Sequence, residues 1–382
     1  MKKTAAHYMT ITVDGESVRA FVPSPLPPRL LAKDMARLVK PLRSADAALS
    51  HLNLAGEMIP SIDWFIYAFL RKEALLSSAI EETQATLVDV FSFEHADQLG
   101  TSSRDDLQEV ANHVGAMNYA LDEMRSKRGL PLSIRLLNGC HRRLLQGSRG
   151  AYKQPGEIRR SQNWIGGTRP GNAAFVPPPP PQVATLLADL ERHFYVNDGL
   201  PPLLRVATVH VQFETIHPYL YGNGRVGRML IALLLEHWKL LSQPLLYVSA
   251  YFKKHQMNYY RHLEQVRTEG DWIGWFKFFL AGIESIASEA ANRTRRLHRQ
   301  VTEDRRKLLD SEAVTVSAIQ LFESLPNHPV ISMSLVTRLL NTTKPTAGKA
   351  VELLQHAAIL REIGARKRDR LYSYEPYVRL LK

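Results

Sequence analysis

The feature that most constrains the fold is a glycine-rich turn that leads directly into an apolar helix, in the stretch HPYLYGNGRVGRMLIALLL over residues 217–235. Glycine lacks a Cβ and asparagine tolerates left-handed backbone angles, so Gly222, Asn223 and Gly224 can form a turn that most sequences avoid. The first amides of the following helix lack intrahelical partners, and the helix dipole is positive at that end. The sequence therefore predicts a helix N-terminus that binds an anion.

Charged and titratable side chains surround this turn. Arg225 and Arg228 are three residues apart, so both lie on one face of the first helical turn. Guanidinium groups bind phosphate oxygens through paired donors. His217 precedes the turn, at the end of an apolar helical stretch, where a histidine can accept a proton near neutral pH. Together these residues predict a diphosphate site with a general base at its mouth.

Length and composition exclude several classes of protein. The chain has 382 residues, enough for two or three domains, and its single cysteine, Cys140, excludes an internal disulfide. Its apolar runs are too short to span a bilayer, and 45% hydrophobic residues is ordinary for a globular protein. We expect a cytoplasmic protein and no secreted scaffold, membrane protein or disordered chain. The net charge of +12 favours anionic partners such as nucleic acid or nucleotides.

Helical periodicity dominates the chain, and a glycine- and proline-rich stretch over residues 147–183 interrupts it. Short strand-like pieces in this stretch predict a loop that carries a β-hairpin. The pattern downstream predicts further helices at Leu203–Ile216, Gly227–Lys239 and Phe252–Arg267, and a long one at Trp272–Leu309.

The last 70 or so residues have a different pattern. Three helical stretches, Val316–Leu325, Ser332–Leu340 and Thr343–His356, are followed by a short strand, a basic turn and the returning strand LYSYEPYV. Three helices and a two-stranded wing predict a winged helix-turn-helix.

The motif HPYLYGNGRVGR resembles the Fic motif, H-x-F-x-(D/E)-G-N-G-R-x-x-R. The resemblance extends to the lead-in HVQFETIHP, to GEIRRSQNWIGG and AFVPPPP as the flap, and to KEALLSSAIEETQ near the N-terminus. It implies a mainly α fold: a Fic helical core with a β-hairpin flap, an N-terminal helical region and a C-terminal winged helix-turn-helix. We expect an N-terminal region with an inhibitory helix at 1–104, the Fic core at 105–309 and the winged module at 310–382.

The resemblance also implies a reaction, the transfer of AMP from ATP to a Ser, Thr or Tyr hydroxyl of a target protein or of the enzyme itself. His217 would be the catalytic base, Arg225 would hold the β-phosphate and Arg228 the γ-phosphate. The expected ATP-binding residues are Gly222, Asn223, Gly224, Arg225, Val226, Gly227, Arg228 and Tyr260. This division of roles among the residues is physically reasonable, since phosphoryl and nucleotidyl transfers depend mostly on positioning and charge stabilisation.

Two motif positions depart from the family pattern. Tyr219 replaces phenylalanine and can keep the same aromatic packing. Tyr221 stands where the family carries the acid that helps to hold magnesium. A protonated phenol is a poor ligand for a hard cation. We therefore expect ATP as a substrate and Mg²⁺ with it, although the missing acid puts the use of Mg²⁺ in doubt, and we assign no metal ligand on the protein.

A second motif resembles the family's inhibitory helix, [S/T]-x-x-x-E-[G/N], with Ser77 and Glu81 at its defining positions. The resemblance implies that Glu81 pairs with Arg228 and takes the place of the γ-phosphate. A bidentate carboxylate–guanidinium pair is geometrically strict enough to act as a plug. Glu82 follows where glycine or asparagine is usual.

The carboxyl-terminal part is basic. Seven Lys and Arg residues crowd the stretch 293–307, and the proposed groove and wing of the winged module add others: Lys344, Lys349, Arg366, Lys367, Arg368 and Arg370, beside Thr346. These side chains can contact DNA phosphates, or they can form a solvated face on a module that binds protein. Expected partners are thus ATP, a target protein, DNA, a second copy of the chain, and no membrane.

Three alternatives to AMP transfer stay open. The chain could be a DNA-binding regulator whose core binds nucleotide but is weakly active because Tyr221 replaces the acid. The core could transfer a different phosphate-containing group. It could also remove AMP, with Glu81 positioning a water molecule.

Overall fold

A computed structural model describes residues 6–57, 59, 62–93, 103–364 and 370–381, and helices dominate these ranges. The helices are α1 (Ala32–Ala36), α2 (Val39–Glu57), α3 (Asp63–Ile80), α4 (Leu87–Phe93), α5 (Arg104–Arg125), α6 (Ile134–Leu144), α7 (Pro180–Tyr195), α8 (Pro202–Ile216), α9 (Asn223–His237), α10 (Ser249–Lys254), α11 (Gln256–Thr268), α12 (Trp272–Leu309), α13 (Val316–Ser324), α14 (Met333–Leu339), α15 (Lys344–His356) and α16 (Glu375–Leu381). The strands are β1 (His7–Val13), β2 (Glu16–Val22), β3 (Val330–Ser332), β4 (Leu360–Ile363) and β5 (Leu371–Tyr374). The predicted mainly α class is confirmed.

The strands form two small antiparallel sheets. β1 and β2 pair as a hairpin from His7 opposite Val22 to Val13 opposite Glu16. Its turn residues, Asp14 and Gly15, both have positive φ, as tight hairpin turns require. The second sheet lies near the carboxyl end and has the strand order β3-β5-β4.

The core is centred on α8 and α9. Every residue from Leu203 to Ile216 in α8 is buried, so this helix is surrounded on all sides. The 38-residue helix α12 runs along α2, and α5 packs on α6. The Trp275 indole of α12 donates a hydrogen bond to the Ala207 carbonyl at 3.0 Å. The loop between α8 and α9 is therefore held at both ends by rigid, buried helices.

Several element boundaries differ from the predicted ones. The flap carries one bridge, between Ile165 and Phe175, in place of a hairpin ladder. The predicted helix over 252–267 is two helices that meet at His255. Helix α9 begins at Asn223, earlier than predicted, because the turn residues themselves enter the first helical turn.

The carboxyl-terminal prediction also needs one correction. The returning strand ends at Tyr374, and residues 375–381 form α16, which buries Tyr377, Val378 and Leu381. The wing residues Arg366, Lys367 and Arg368 lie outside the described residues. Among the helices that are described, none combines the length and the apolar character needed to cross a bilayer.

Candidate active site

The loop between α8 and α9 has a defined shape that three residues set. His217 ends α8 with a left-handed backbone (φ 50°), and its amide still donates to the Phe213 carbonyl. Gly222 is the N-cap of α9 and has φ 81°, a conformation that favours glycine. The Asn223 side chain accepts a hydrogen bond from the Tyr219 amide and donates one to the Tyr219 carbonyl, both at 2.8 Å. Asn223 thus closes the turn, and both of its polar atoms are committed to the loop.

A buried arginine of the flap holds the backbone of His217. Arg159 Nε donates to the His217 carbonyl at 2.9 Å, and Nη2 donates to the Pro178 carbonyl at 2.5 Å. Burial lowers the pKa of Arg159 to about 10, so the guanidinium remains charged at neutral pH. A left-handed non-glycine residue is strained, and such strain persists only where the surroundings enforce it. Arg159 supplies that enforcement.

The loop opens onto a cavity of about 640 Å³, which is in the size range of small-molecule sites. His217, Gly224 and Arg228 line its floor, and Glu81 enters from the end of α3. The other walls come from α8, α11, the flap and the N-terminal hairpin, and include Glu214, Tyr259, Tyr260, Arg267, Phe175, Tyr8 and Arg19.

His217 is neutral at physiological pH. Burial, together with the charges of Arg267 and Arg159, lowers the pKa of His217 to about 3. Its Nδ1 is buried without a hydrogen-bond partner among the described groups. An uncharged imidazole beside a cavity is chemically able to accept a proton.

Glu81 and Ser77 both contact Arg228. The Arg228 guanidinium donates to Glu81 Oε1 at 2.8 Å, to the Ser77 hydroxyl at 2.9 Å and to the Ser77 carbonyl at 2.9 Å. Arg228 is 1% exposed at its side chain and Glu81 35%. Burial acts to raise the pKa of Glu81, but the charge and hydrogen bond of Arg228, together with the nearby Arg225 charge, outweigh burial, and the pKa is lowered. A Cβ on Gly224 would meet Glu81 Oε1, so the carboxylate lies directly against the start of α9.

Glu82 has a backbone conformation that favours glycine or asparagine, the residues usual at this place in the motif that Ser77 and Glu81 resemble. Its φ is 69°, in the left-handed region that favours glycine. The Glu82 amide donates to the Ala79 carbonyl, and the Thr83 amide donates to the Ser78 carbonyl. These two hydrogen bonds form a Schellman motif at the end of α3, a motif in which the left-handed position is usually glycine.

Replacing Glu82 with glycine is therefore expected to stabilise this helix end by about 1 kcal/mol, since a side chain in the left-handed region costs roughly that amount. A firmer helix end should hold Glu81 more tightly on Arg228. We expect the urea midpoint to rise and any basal transfer of label from ATP to fall. A lower midpoint, or faster basal transfer, would contradict this.

Arg225 does not line the cavity. It is completely buried, and its Nη1 donates to Glu109 Oε2 at 3.1 Å. Its guanidinium lies 5.2 Å from the centroid of the Tyr221 ring, and a Cβ on Gly150 would collide with that same ring. Of the other expected ATP-binding residues, Val226 is buried within α9 and Gly227 packs against Glu214, whereas Tyr260 lines the cavity.

Tyr219 keeps the aromatic packing expected of a phenylalanine. Its ring stacks on His141 with centroids 3.9 Å apart. His141 Nδ1 accepts from the Gly156 amide at 2.8 Å, so Nε2 carries the proton and donates to the Tyr221 carbonyl at 2.9 Å. Burial lowers the pKa of His141 to about 4, which keeps this arrangement at neutral pH.

The residues around Tyr221 do not fit a magnesium ion held by the protein. Burial raises the pKa of the Tyr221 phenol, although Arg225 opposes this, so the hydroxyl stays protonated. Glu109, the carboxylate that pairs with Arg225, is itself buried and ion-paired. Within the described ranges, no group of three or more His, Cys, Asp or Glu side chains is arranged to hold a metal.

Sequence reasoning missed five charged residues of the site: Arg159, Glu109, Arg149, Glu214 and Arg267. Burial raises the pKa of Glu214 to about 7, and its Oε1 is buried without a partner among the described groups. Arg267 donates to the Glu214 carbonyl at 3.3 Å. The one available signal was the spacing of Asp106, Glu109 and His113, which places all three on one face of a helix.

Comparison with known proteins agrees with this geometry. Residues 39–122 match the Fic/DOC family N-terminal model, and residues 131–235 match the Fic/DOC family model. Protein adenylyltransferase Fic from Drosophila yakuba is 29% identical over 181 residues, which cover 46% of this chain and 32% of that protein. The same-named protein from Drosophila grimshawi is 28% identical over 181 residues. The chain thus spans about a third of the length of these curated relatives.

Solved structures share the fold. A Fic family protein from Desulfovibrio desulfuricans has a TM-score of 0.56 at 20% identity and covers 91% of this chain and 98% of its own. Fic-1 from C. elegans has a TM-score of 0.51 at 19% identity and covers 70% of this chain and 74% of its own. The expected resemblance is confirmed: residues 39–122 match a Fic/DOC family N-terminal domain and residues 131–235 match a Fic/DOC family domain.

Proposed function

We propose that this protein transfers AMP from ATP to a hydroxyl side chain of a protein, and that Glu81 restrains the reaction. The observation that carries the proposal is the cavity in which a neutral His217, the start of α9 and Arg228 meet. The curated relatives over this region bear the name protein adenylyltransferase Fic, which supports the same chemistry.

The proposed step joins ATP and the target hydroxyl, with His217 as the base. His217 takes the proton of the target hydroxyl, whose oxygen forms a bond to the α-phosphorus of ATP. The bond from that phosphorus to the bridging oxygen of the β-phosphate breaks, and pyrophosphate leaves. The amides at the start of α9 and the Arg228 guanidinium stabilise the phosphate charge. Tyr260, on the cavity wall, would contact the nucleoside.

Asn223 and Arg225 act indirectly in this proposal. We call the loop between α8 and α9 the anion-binding loop. Asn223 gives this loop its shape through its two hydrogen bonds to Tyr219. Arg225, buried in the first turn of α9, adds positive charge near the loop while it stays paired with Glu109. The proposal assigns no protein ligand to magnesium, since the groups around Tyr221 do not suit it.

Labelled ATP tests the reaction class. The 382-residue chain is incubated with ATP that carries ³²P at either the α- or the γ-position, alone and with a cell lysate as a source of targets. A Glu81→Gly background removes the proposed restraint. We expect protein-bound label from the α-position only. Label from the γ-position would instead show phosphate transfer and would overturn the proposal.

A second proposed function, DNA binding, concerns the module at residues 310–382. From α13 to β5 its described elements run helix, strand, helix, helix, strand, strand, an order that suits a winged helix-turn-helix, and α16 follows them. On α15, Lys344 and Lys349 are exposed, and a Cβ on Gly348 between them would meet open space. An open, basic face at the start of this helix favours contact with phosphates.

Charge reversal on α15 tests the DNA proposal. We expect the full chain to bind duplex DNA in fluorescence anisotropy, with affinity that falls steeply as salt rises. The variant Lys344→Glu/Lys349→Glu should bind more weakly and with a salt slope that is smaller by about 0.9 for each lost phosphate contact. The control Lys277→Glu changes an exposed lysine of α12. Equal affinities for both variants, or no binding at low salt, would exclude this function for α15.

A further inference from the structure

A buried carboxylate on α5 connects two parts of the site that are far apart in sequence. The Glu109 side chain is only 1% exposed. Its Oε2 accepts hydrogen bonds from the Thr83 hydroxyl at 3.0 Å and from Arg225 Nη1 at 3.1 Å. Its Oε1 accepts from Arg149 Nε at 2.8 Å. One carboxylate therefore contacts both the segment after Glu81 and the first turn of α9.

The surrounding charges make this contact specific. A buried carboxylate is costly unless it is paired, and Glu109 is paired on both oxygens by guanidinium groups. Asp106, one helical turn earlier, binds Arg149 and accepts from the Gln84 amide at 3.1 Å. The segment that follows Glu81 is thus fastened to α5 at two consecutive residues.

Thr83 lies two residues after Glu81, beyond the end of α3. Its side chain is buried, and its amide completes the helix end by bonding to the Ser78 carbonyl. Because Thr83 is held at both its amide and its hydroxyl, the chain at Glu81 has little freedom to swing away from Arg228. The Glu109 oxygen that binds Thr83 also binds Arg225, which lies in the first turn of α9.

We propose that Glu109 is a positioning residue. It holds the end of α3, which carries Glu81, through its bond to Thr83, and it connects this end to the start of α9 through its bond to Arg225. This rests on the proposed function, in which Glu81 and the phosphates of ATP compete for Arg228. ATP that displaces Glu81 must then also disturb the bond between Thr83 and Glu109. Loss of that bond alone makes displacement easier.

A purely structural role for the same contact makes a different prediction. If Glu109 only holds α5 against α9, removing the Thr83 hydroxyl lowers the melting temperature but leaves ATP affinity unchanged. The positioning role requires a gain in ATP affinity that disappears when Glu81 is absent, because Thr83 then has no competing carboxylate to hold in place.

ATP affinity measured by calorimetry on the full chain separates these roles. The variants are Thr83→Val, Glu81→Gly and the double variant, each compared with the unchanged protein. The control is Thr294→Val, which removes a buried hydroxyl that has no partner among the described groups. We expect Thr83→Val to tighten ATP binding about threefold to tenfold, the contribution of one intramolecular hydrogen bond. In the Glu81→Gly background, Thr83→Val should change the ATP affinity by less than about twofold. Thr294→Val should leave the ATP affinity unchanged.

The outcomes distinguish this inference from the proposed function. If Glu81→Gly tightens ATP binding and Thr83→Val does not, the positioning role is overturned while the inhibition by Glu81 stands. If neither variant tightens binding, both fail. A second variant, Glu109→Gln, should tighten binding as Thr83→Val does and should leave Thr83→Val no further effect. If the melting curve shows that Glu109→Gln does not fold, the ATP affinities of Thr83→Val and Thr294→Val decide between the positioning role and the purely structural role.

Discussion

Replacing His217 with alanine is expected to lower the transfer of AMP by about 10²–10⁴-fold, the usual cost of losing a positioned general base. His217 lines the cavity beside Gly224 and Arg228, and its pKa of about 3 keeps the ring uncharged at neutral pH, so one ring nitrogen has a free lone pair. Binding of ATP should change little, because the phosphates are assigned to the start of α9 and to Arg228. The measurements are the rate of label incorporation from α-labelled ATP and the ATP dissociation constant, both in a Glu81→Gly background.

The control for this variant is His298→Ala, which removes an exposed histidine of α12. Because burial and nearby arginines lower the pKa of His217 so far, the transfer rate of the unchanged protein should show no loss from protonation of this ring as the pH falls from 8 to 5. Unchanged label incorporation in His217→Ala would remove His217 from the reaction. A large loss of ATP affinity in His217→Ala would instead assign His217 a role in ATP binding.

The features that could be predicted from sequence are those that local patterns determine. Apolar periodicity predicted α12 with its observed ends, Trp272 and Leu309, because the pattern continues over ten helical turns. The glycine-asparagine-glycine turn predicted the helix start at residue 223 to within a few positions. The Glu81–Arg228 contact was expected through the resemblance of two short motifs, and the structure brings these two residues within hydrogen-bond distance.

The features that could not be predicted depend on contacts between distant segments. Glu109 meets Arg225 across 116 positions, and no local pattern specifies such a pair. Arg159 reaches the His217 carbonyl across 58 positions from a glycine- and proline-rich loop. Tyr372 and Tyr374 alternate as in a strand, but burial of Tyr377, Val378 and Leu381 accompanies a helix over the last described residues. Tertiary burial there overrides local preference.

Replacing Glu81 with glycine is expected to raise the rate of AMP transfer by about 10–100-fold, because a charge-assisted hydrogen bond contributes roughly that factor. Glu81 binds Arg228 and lies against Gly224, so it fills the space that a terminal phosphate of ATP would take. The matched control is Glu82→Gly, which introduces the same residue one position later. Glu82→Gly is expected to lower the rate of AMP transfer, since glycine at this left-handed position stabilises the helix end that carries Glu81.

A double-mutant cycle with Arg228→Ala tests the cause of that gain. If Glu81 inhibits by occupying Arg228, then the rate gained from Glu81→Gly should largely vanish once the arginine is absent. Ser77 also contacts Arg228, through its hydroxyl and its carbonyl, so part of the arginine's orientation survives the loss of Glu81. The freed guanidinium is therefore already placed for a phosphate when the carboxylate leaves. Additive effects of the two substitutions would show that Glu81 acts elsewhere, and equal rates for the unchanged protein and Glu81→Gly would show that the end of α3 is only structural.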